Sequence, residues 1–278
     1  MTIAVVGASG FVGRYVVAAL ARHGEDEIVA ASRSGGRDAG WPTSVRSIEF
    51  DVRAMEGAYE RLGRPHTLVH LAWGGLPNYR SRHHFETELP AHYAFIAAMT
   101  DAGTARVVAT GTCYEYGMRA GELTEDLLPA PDNAYALAKA TLLRQLEMLR
   151  NERPFTFTWA RLFYMWGAGQ APNSLYPQLM AALERGEASF AMSLGEQLRD
   201  YLPIAQVADT LARLTRLNQD AGVVNICSGR PIAVRRLVEQ WLEERGATLP
   251  LNLGYYSYPT HEPLAFWGSR QKLDTLLG

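Results

Sequence analysis

Gly7-Ala8-Ser9-Gly10-Phe11-Val12-Gly13 is the stretch on which the fold turns. The apolar run Thr2–Val6 precedes it and an amphipathic segment, Phe11–Arg22, follows. That order reads as strand, glycine turn, helix. Gly7 permits the tight turn, Gly10 lets a pyrophosphate approach the backbone, and Gly13 allows the helix to pack close to the strand. The helix start then offers free N–H groups and the positive end of its dipole to an anion. Three glycines in seven residues also arise by chance. Their place in the first strand–turn–helix of an alternating chain gives them meaning, and the spacing G-x-x-G-x-x-G departs from the commoner G-x-G-x-x-G.

Working outward, further strand-like runs fall at Glu27–Ser32, 45–50, 67–71, 106–110 and 156–161, with helical patterns at 85–102 and 134–150. Such alternation predicts an α/β fold with a doubly wound parallel sheet of Rossmann type. After Arg161 the pattern changes through the loop 167–172. Helices are expected near 175–185, 207–217 and 234–245, and a strand at 223–226 returns to the sheet. The division expected is a dinucleotide-binding domain at 1–162 and a smaller, mainly substrate-binding lobe at 163–278.

The 278 residues carry a formal charge of −2, with 47% apolar and 20% charged side chains, which suits a soluble globular protein and argues against a nucleic-acid binder. Two cysteines are too few for a disulfide framework and fit a reducing compartment. The N-terminus has neither a basic leader nor an apolar run of membrane length, so a cytoplasmic protein is expected. His83, His84 and His92 lack metal-ligand spacing with a defined third partner, and no metal is expected.

The acidic residue that would hold an NAD ribose should close the second strand. Ser32, Arg33 and Ser34 stand there instead. A guanidinium suits the 2′-phosphate of NADP(H), which is the cofactor expected, with NAD(H) as the alternative. The plain reading of Arg33 is a solvated loop arginine.

Of the 27 basic residues only Lys139 and Lys272 are lysines, and Lys139 lies four residues after Tyr135. That spacing puts phenol and ammonium on one helix face, where the ammonium can lower the phenol's pKa and bond a nicotinamide ribose. With 13 tyrosines in the chain, chance alone gives such a pair roughly once in ten. Thr112, just past a strand end, can hydrogen-bond a substrate carbonyl beside the tyrosine. Cys113 is read first as a small apolar filler, because no histidine neighbours it in sequence.

Together these residues resemble the extended short-chain dehydrogenase/reductase family, specifically its nucleotide-sugar epimerases, dehydratases and ketoreductases. The likeness spans most of the chain. It takes in the glycine turn, Asp51-Val52 (adenine contacts), His70-Leu71-Ala72, Thr112…Tyr116-Gly117, Tyr135…Lys139, Arg161–Gly167 and Gly195–Pro203. The resemblance implies catalysis by Thr112, Tyr135 and Lys139. Gly7, Ser9, Gly10, Phe11, Val12, Gly13, Ser32, Arg33, Ser34, Asp51, Val52, Leu71, Ala72 and Lys139 would hold the dinucleotide. Arg199 would clamp the substrate's diphosphate, with Asn173 and Ser174 near it and Trp73, Cys113, Tyr114 and Tyr164 around the sugar. The plain alternative for Arg199-Asp200 is a surface ion pair worth little.

Three departures matter. Family dehydratases carry Asp-Glu after the threonine; Cys113 and Tyr114 replace them, which argues against water elimination. Glu88 stands where many members have asparagine. A second phosphate-binding arginine is replaced around Thr260 or His261. The activity implied is NADPH-dependent reduction of a nucleotide-linked 4-keto-6-deoxy sugar by a homodimer. An NAD-dependent 4-epimerase is the alternative, and a non-catalytic NADP-binding regulator the second.

Overall fold

The computed structural model describes residues 1–24, 26–258 and 262–278. Seven parallel strands form the main sheet: β1 (Thr2–Val6), β2 (Glu27–Ser32), β3 (Arg46–Glu49), β4 (Thr67–His70), β5 (Arg106–Thr112), β6 (Thr156–Leu162) and β7 (Gly222–Ile226). Their spatial order is β7-β6-β5-β4-β1-β2-β3. The order reverses between β1 and β4, so a crevice opens beyond their carboxyl ends. The second-half strand pairs with β6 as the sequence implies, Val223 lying opposite Trp159.

Alternation along β1 explains how the sheet is covered on both faces. Ile3 and Val5 join the core under the helices Phe11–Arg22 and Ile204–Thr215, while Ala4 and Val6 face the helices Leu89–Ala102 and Ala134–Glu152. A third apolar cluster gathers Leu179, Phe190, Trp241 and Leu242 between the helices Leu175–Glu184 and Val234–Glu244. A fourth, with Cys113, Tyr116, Phe163 and Phe266, seats this region against the sheet.

The expected helix at 85–102 is really two pieces. His84–Glu88 forms a wider π-turn, and a regular helix runs from Leu89 to Ala102. Pro90, in the first turn, has no N–H to continue the ladder, so the register changes there. Strand β5 also runs two residues further than its composition suggests, because Gly111 and Thr112 stay paired with Arg161 and Leu162. No helix among the described residues is long and apolar enough to cross a membrane.

Candidate active site

The glycine turn packs as its spacing requires. Gly7 has φ of +85°, and a Cβ on it would lie 2.6 Å from the Ala72 nitrogen. A Cβ on Gly13 would stand 2.1 Å from the Gly7 carbonyl. Larger residues would force β1, β4 and the first helix apart. Gly10 caps that helix with no side-chain hydrogen bond, leaving backbone N–H groups facing the crevice.

A cavity of about 300 Å³ extends from this turn. Gly7, Ser9, Gly10, Ser32, Arg33, Ser34, Asp51, Val52, Leu71 and Ala72, expected from sequence to hold the dinucleotide, line it, and so does Trp73, which was expected beside the sugar. Phe11, Val12 and Gly13 form the helix's first turn behind it. Arg33 is exposed at the mouth. Sequence reading missed Arg53, Gly74 and His92, and it had no environment for Glu88; all four line the same wall.

Glu88 is the centre of that wall. It is buried and accepts hydrogen bonds from the Gly74 N–H at 2.6 Å and from His92 Nε2 at 3.1 Å, and it pairs with Arg53 and with His83 at 2.9 Å. Burial alone would raise its pKa, but the His92 and Gly74 bonds and nearby charge bring it down to about 2. His70 Nε2 lies 2.8 Å from His92 Nδ1. Both imidazoles are held below the ordinary histidine value, chiefly by burial, so the chain of donors runs from neutral His70 through neutral His92 to the Glu88 carboxylate.

Tyr135 and Lys139, two of the three expected catalytic residues, meet around Trp73, and Thr112 reaches Tyr135. Lys139 Nζ donates to the Thr110 carbonyl at 2.7 Å and sits 4.2 Å from the Trp73 ring centroid. The Tyr135 ring stands 6.0 Å from the same indole, edge to face, and His84 and Tyr79 close its other sides at 5.3 and 5.7 Å. Asn133 caps the helix that carries Tyr135 and Lys139 by accepting the Ala136 N–H, which fixes both on one buried face.

Burial decides the protonation of this pair. The sequence argument has an ammonium lowering the Tyr135 phenol. Instead burial, aided by the Glu115 charge, pushes the phenol up, and contact with Thr112 only partly offsets the rise. Burial also pulls Lys139 down to about 7, with Glu115 and Glu88 opposing. Tyr135 is therefore a protonated donor at neutral pH.

Thr112 caps a short turn, Cys113–Tyr116, and its Oγ1 accepts the Tyr114 N–H at 3.3 Å. Its hydroxyl also contacts the Tyr135 phenol, the contact that partly offsets the rise in that group's pKa. Glu115 completes a capping box by accepting the Thr112 N–H at 2.8 Å, and it also holds Arg161 at 2.8 Å and Trp159 at 3.1 Å in full burial. The T-x-x-E spacing of Thr112 and Glu115 was readable in the sequence; its buried partners carried no local signal.

Tyr114, Tyr164 and Arg199, the residues expected around the substrate, converge on Glu262. The two phenols donate to Glu262 Oε1 at 2.9 and 2.7 Å, and Arg199 lies 2.9 Å from Oε2. Arg199 and Asp200 are both buried and do not form a surface pair: Asp200 accepts the Ser228 and Gly229 N–H groups. Cys113 is buried beside this cluster, and burial followed by the Glu262 charge pushes its thiol far up, which suits a filler and not a nucleophile. Asn173 and Ser174 stand at the start of the helix Leu175–Glu184, with no side-chain bond to Arg199 among the described residues. Thr260 and His261, the positions of the substituted second arginine, lie outside the described residues.

A model of the NAD dependent epimerase/dehydratase family matches residues 3–227. A dTDP-6-deoxy-L-talose 4-dehydrogenase (NAD(+)) of Aggregatibacter actinomycetemcomitans is 25% identical over 97% of this chain and 100% of its own. A dTDP-6-deoxy-L-talose 4-dehydrogenase (NAD(P)(+)) of Kitasatospora kifunensis is 27% identical over 88% of this chain and 79% of its own. Among solved structures, MoeE5 in complex with UDP-glucose and NAD superposes with a TM-score of 0.82 at 28% identity, covering 100% of this chain and 92% of that one.

Proposed function

The chain belongs to the NAD dependent epimerase/dehydratase family, and from that premise we propose that it reduces a nucleotide-linked 4-keto-6-deoxy sugar with NADPH. The observation that carries this reading is the buried, protonated Tyr135 phenol beside Thr112 and Lys139. A reduced nicotinamide held in this cavity would supply a hydride to the ketone carbon, and Tyr135 would give its proton to the oxygen that becomes a hydroxyl. Thr112 steadies that oxygen, while Lys139, in its ammonium form, anchors the ribose and supports the tyrosinate left behind. A 4-dehydrogenase, as two relatives are named, performs the same hydride transfer in the opposite direction.

Cofactor choice rests on Arg33 between Ser32 and Ser34 at the cavity mouth, in the place where an NAD-binding carboxylate would close the second strand. The names of the relatives span NAD(+) and NAD(P)(+). On this reading residues 1–162 hold the dinucleotide and 163–278 mainly the nucleotide sugar. Two copies pair through the helices Leu89–Ala102 and Ala134–Glu152, the second of which exposes Leu137 and Met148; sedimentation of the purified protein tests this.

The 4-epimerase reading draws on the NAD-bound neighbour. Mixing the protein with NADPH and dTDP-, GDP-, UDP- and CDP-linked 4-keto-6-deoxy sugars separates the two. Stoichiometric loss of the reduced nicotinamide band at roughly 340 nm is expected. Retained NAD and interconverted sugars, with no NADPH consumed, would select the epimerase. Retained cofactor binding with no sugar chemistry at all would leave the regulator, against which the intact Tyr135–Lys139 pair weighs.

A further inference from the structure

The arginine expected to clamp a diphosphate already has an anion. Arg199 is buried, and its Nη1 donates to the Leu198 and Leu264 carbonyls at 2.9 and 3.2 Å. Its guanidinium also lies 4.6 Å from the Phe266 ring centroid. Among the described residues its one charged hydrogen-bond partner is the Glu262 carboxylate, on Nη2 at 2.9 Å. The other Glu262 oxygen takes the Tyr114 and Tyr164 hydroxyls.

We infer that Glu262 determines which ligands the Arg199 subsite accepts: its carboxylate is an internal counter-ion that the diphosphate of a nucleotide must replace. This rests on the reading of Arg199 as the diphosphate clamp. Three features argue for it. First, the Arg199–Glu262 pair is neutral, so a second anion brought to it meets a carboxylate as well as a guanidinium and gains little. Second, the backbone bonds of Arg199 to Leu198 and Leu264 fix the guanidinium whichever anion it holds, while Glu262 reaches it through a rotatable side chain. Third, departure of that one carboxylate releases a guanidinium N–H and a phenolic O–H from the Tyr114–Tyr164 pair, whose hydroxyls lie 3.3 Å apart, a set that phosphate oxygens and sugar hydroxyls can take up. A diphosphate carries enough charge to make the exchange; a monocarboxylate or a neutral nucleoside does not.

The test uses the enzyme saturated with NADPH, so that the glycine turn is filled, and titrates dTDP, UDP, GDP, CDP and inorganic pyrophosphate by calorimetry. Glu262→Gln should bind the preferred diphosphate about tenfold tighter than wild type. The gain should vanish when Arg199→Gln is added, as a coupled pair requires. Thermal melting supplies a second reading. Glu262→Gln should melt below wild type, because Arg199 then stays buried without a counter-charge, and the same diphosphate should raise its melting point more than it raises that of wild type. Should the glutamine variant fail to fold, Glu262→Asp, with its carboxylate drawn back from Arg199, should show a smaller gain of the same sign. Equal or weaker diphosphate binding by the Glu262 variants, with Arg199→Gln still weakening it, overturns the inference alone. If Arg199→Gln binds as wild type does, or no diphosphate binds any variant, the clamp reading falls and the inference with it.

Discussion

The two sides of the crevice are built by different means. The dinucleotide side is made largely of backbone: the Gly7–Gly13 turn, the ends of β1, β2 and β4, and an open cavity between them. The side proposed for the sugar is made of side chains from four separate stretches, Tyr114, Tyr164, Arg199 and Glu262, already bonded to one another. A backbone site stands ready whether or not its ligand is bound. A side-chain site has to give up internal partners first, so its occupancy is a competition.

Four measurements break or sharpen that contrast. Tyr135→Phe, which stands where the two sides meet, should lower turnover by about 10³-fold while NADPH affinity, followed by fluorescence, stays within about twofold. A parallel loss of cofactor binding would mean that the phenol is part of the dinucleotide side.

Glu115→Ala should unfold at markedly lower urea, a loss of at least about 3 kcal/mol, since it strands the buried Arg161 without its carboxylate. That pair is the floor under both sides. A variant as stable as wild type would show the floor to be dispensable.

Arg33→Ser should weaken NADPH by about ten- to hundredfold and leave NADH unchanged, because only the 2′-phosphate is lost from its charge-assisted bonds. Equal effects on both cofactors would return Arg33 to a solvated loop residue.

The smallest effect is in pH. Lys139 is held near about 7, below the ordinary lysine value. Its ammonium is therefore present below that pH and lost above it, and hydride transfer should fall as pH rises through about 7. Between slightly acid and slightly alkaline buffer the change should be less than about tenfold, and Lys139→Arg, charged throughout, should flatten it. Stability runs the opposite way. The buried lysine protonates only below about 7 and the unfolded one already below its ordinary value, so the cost of burying Lys139 is full below about 7 and fades as pH rises from there to the ordinary lysine value.

What was legible follows the same division. Glycine spacing, strand alternation and the Tyr135–Lys139 interval are local, and each placed its element correctly; so was the return of 223–226 to the sheet. The bonding partners of Glu88, Glu115 and Glu262 were illegible because they lie far along the chain. Glu88 reaches back to Arg53 and Gly74, Glu115 forward to Arg161, and Glu262 back to Tyr114. The protonation of Tyr135 also escaped the sequence, since spacing names the neighbouring ammonium but says nothing of how deeply the phenol is buried. The break at Pro90 was legible in principle, because a proline without an N–H was in plain view within the expected helix.

The account stands or falls on hydride reaching the sugar from the dinucleotide with Tyr135 as the proton donor. NADPH deuterated at the transferring carbon of its nicotinamide, incubated with the nucleotide-4-keto sugar that wild type consumes, tests this directly by mass spectrometry of the sugar product. Deuterium on the newly formed carbinol carbon, present with wild type and missing with a Tyr135→Phe protein that still binds NADPH, is the expected result. A reduced or inverted sugar without the label, or equal label from the phenylalanine variant, would contradict it.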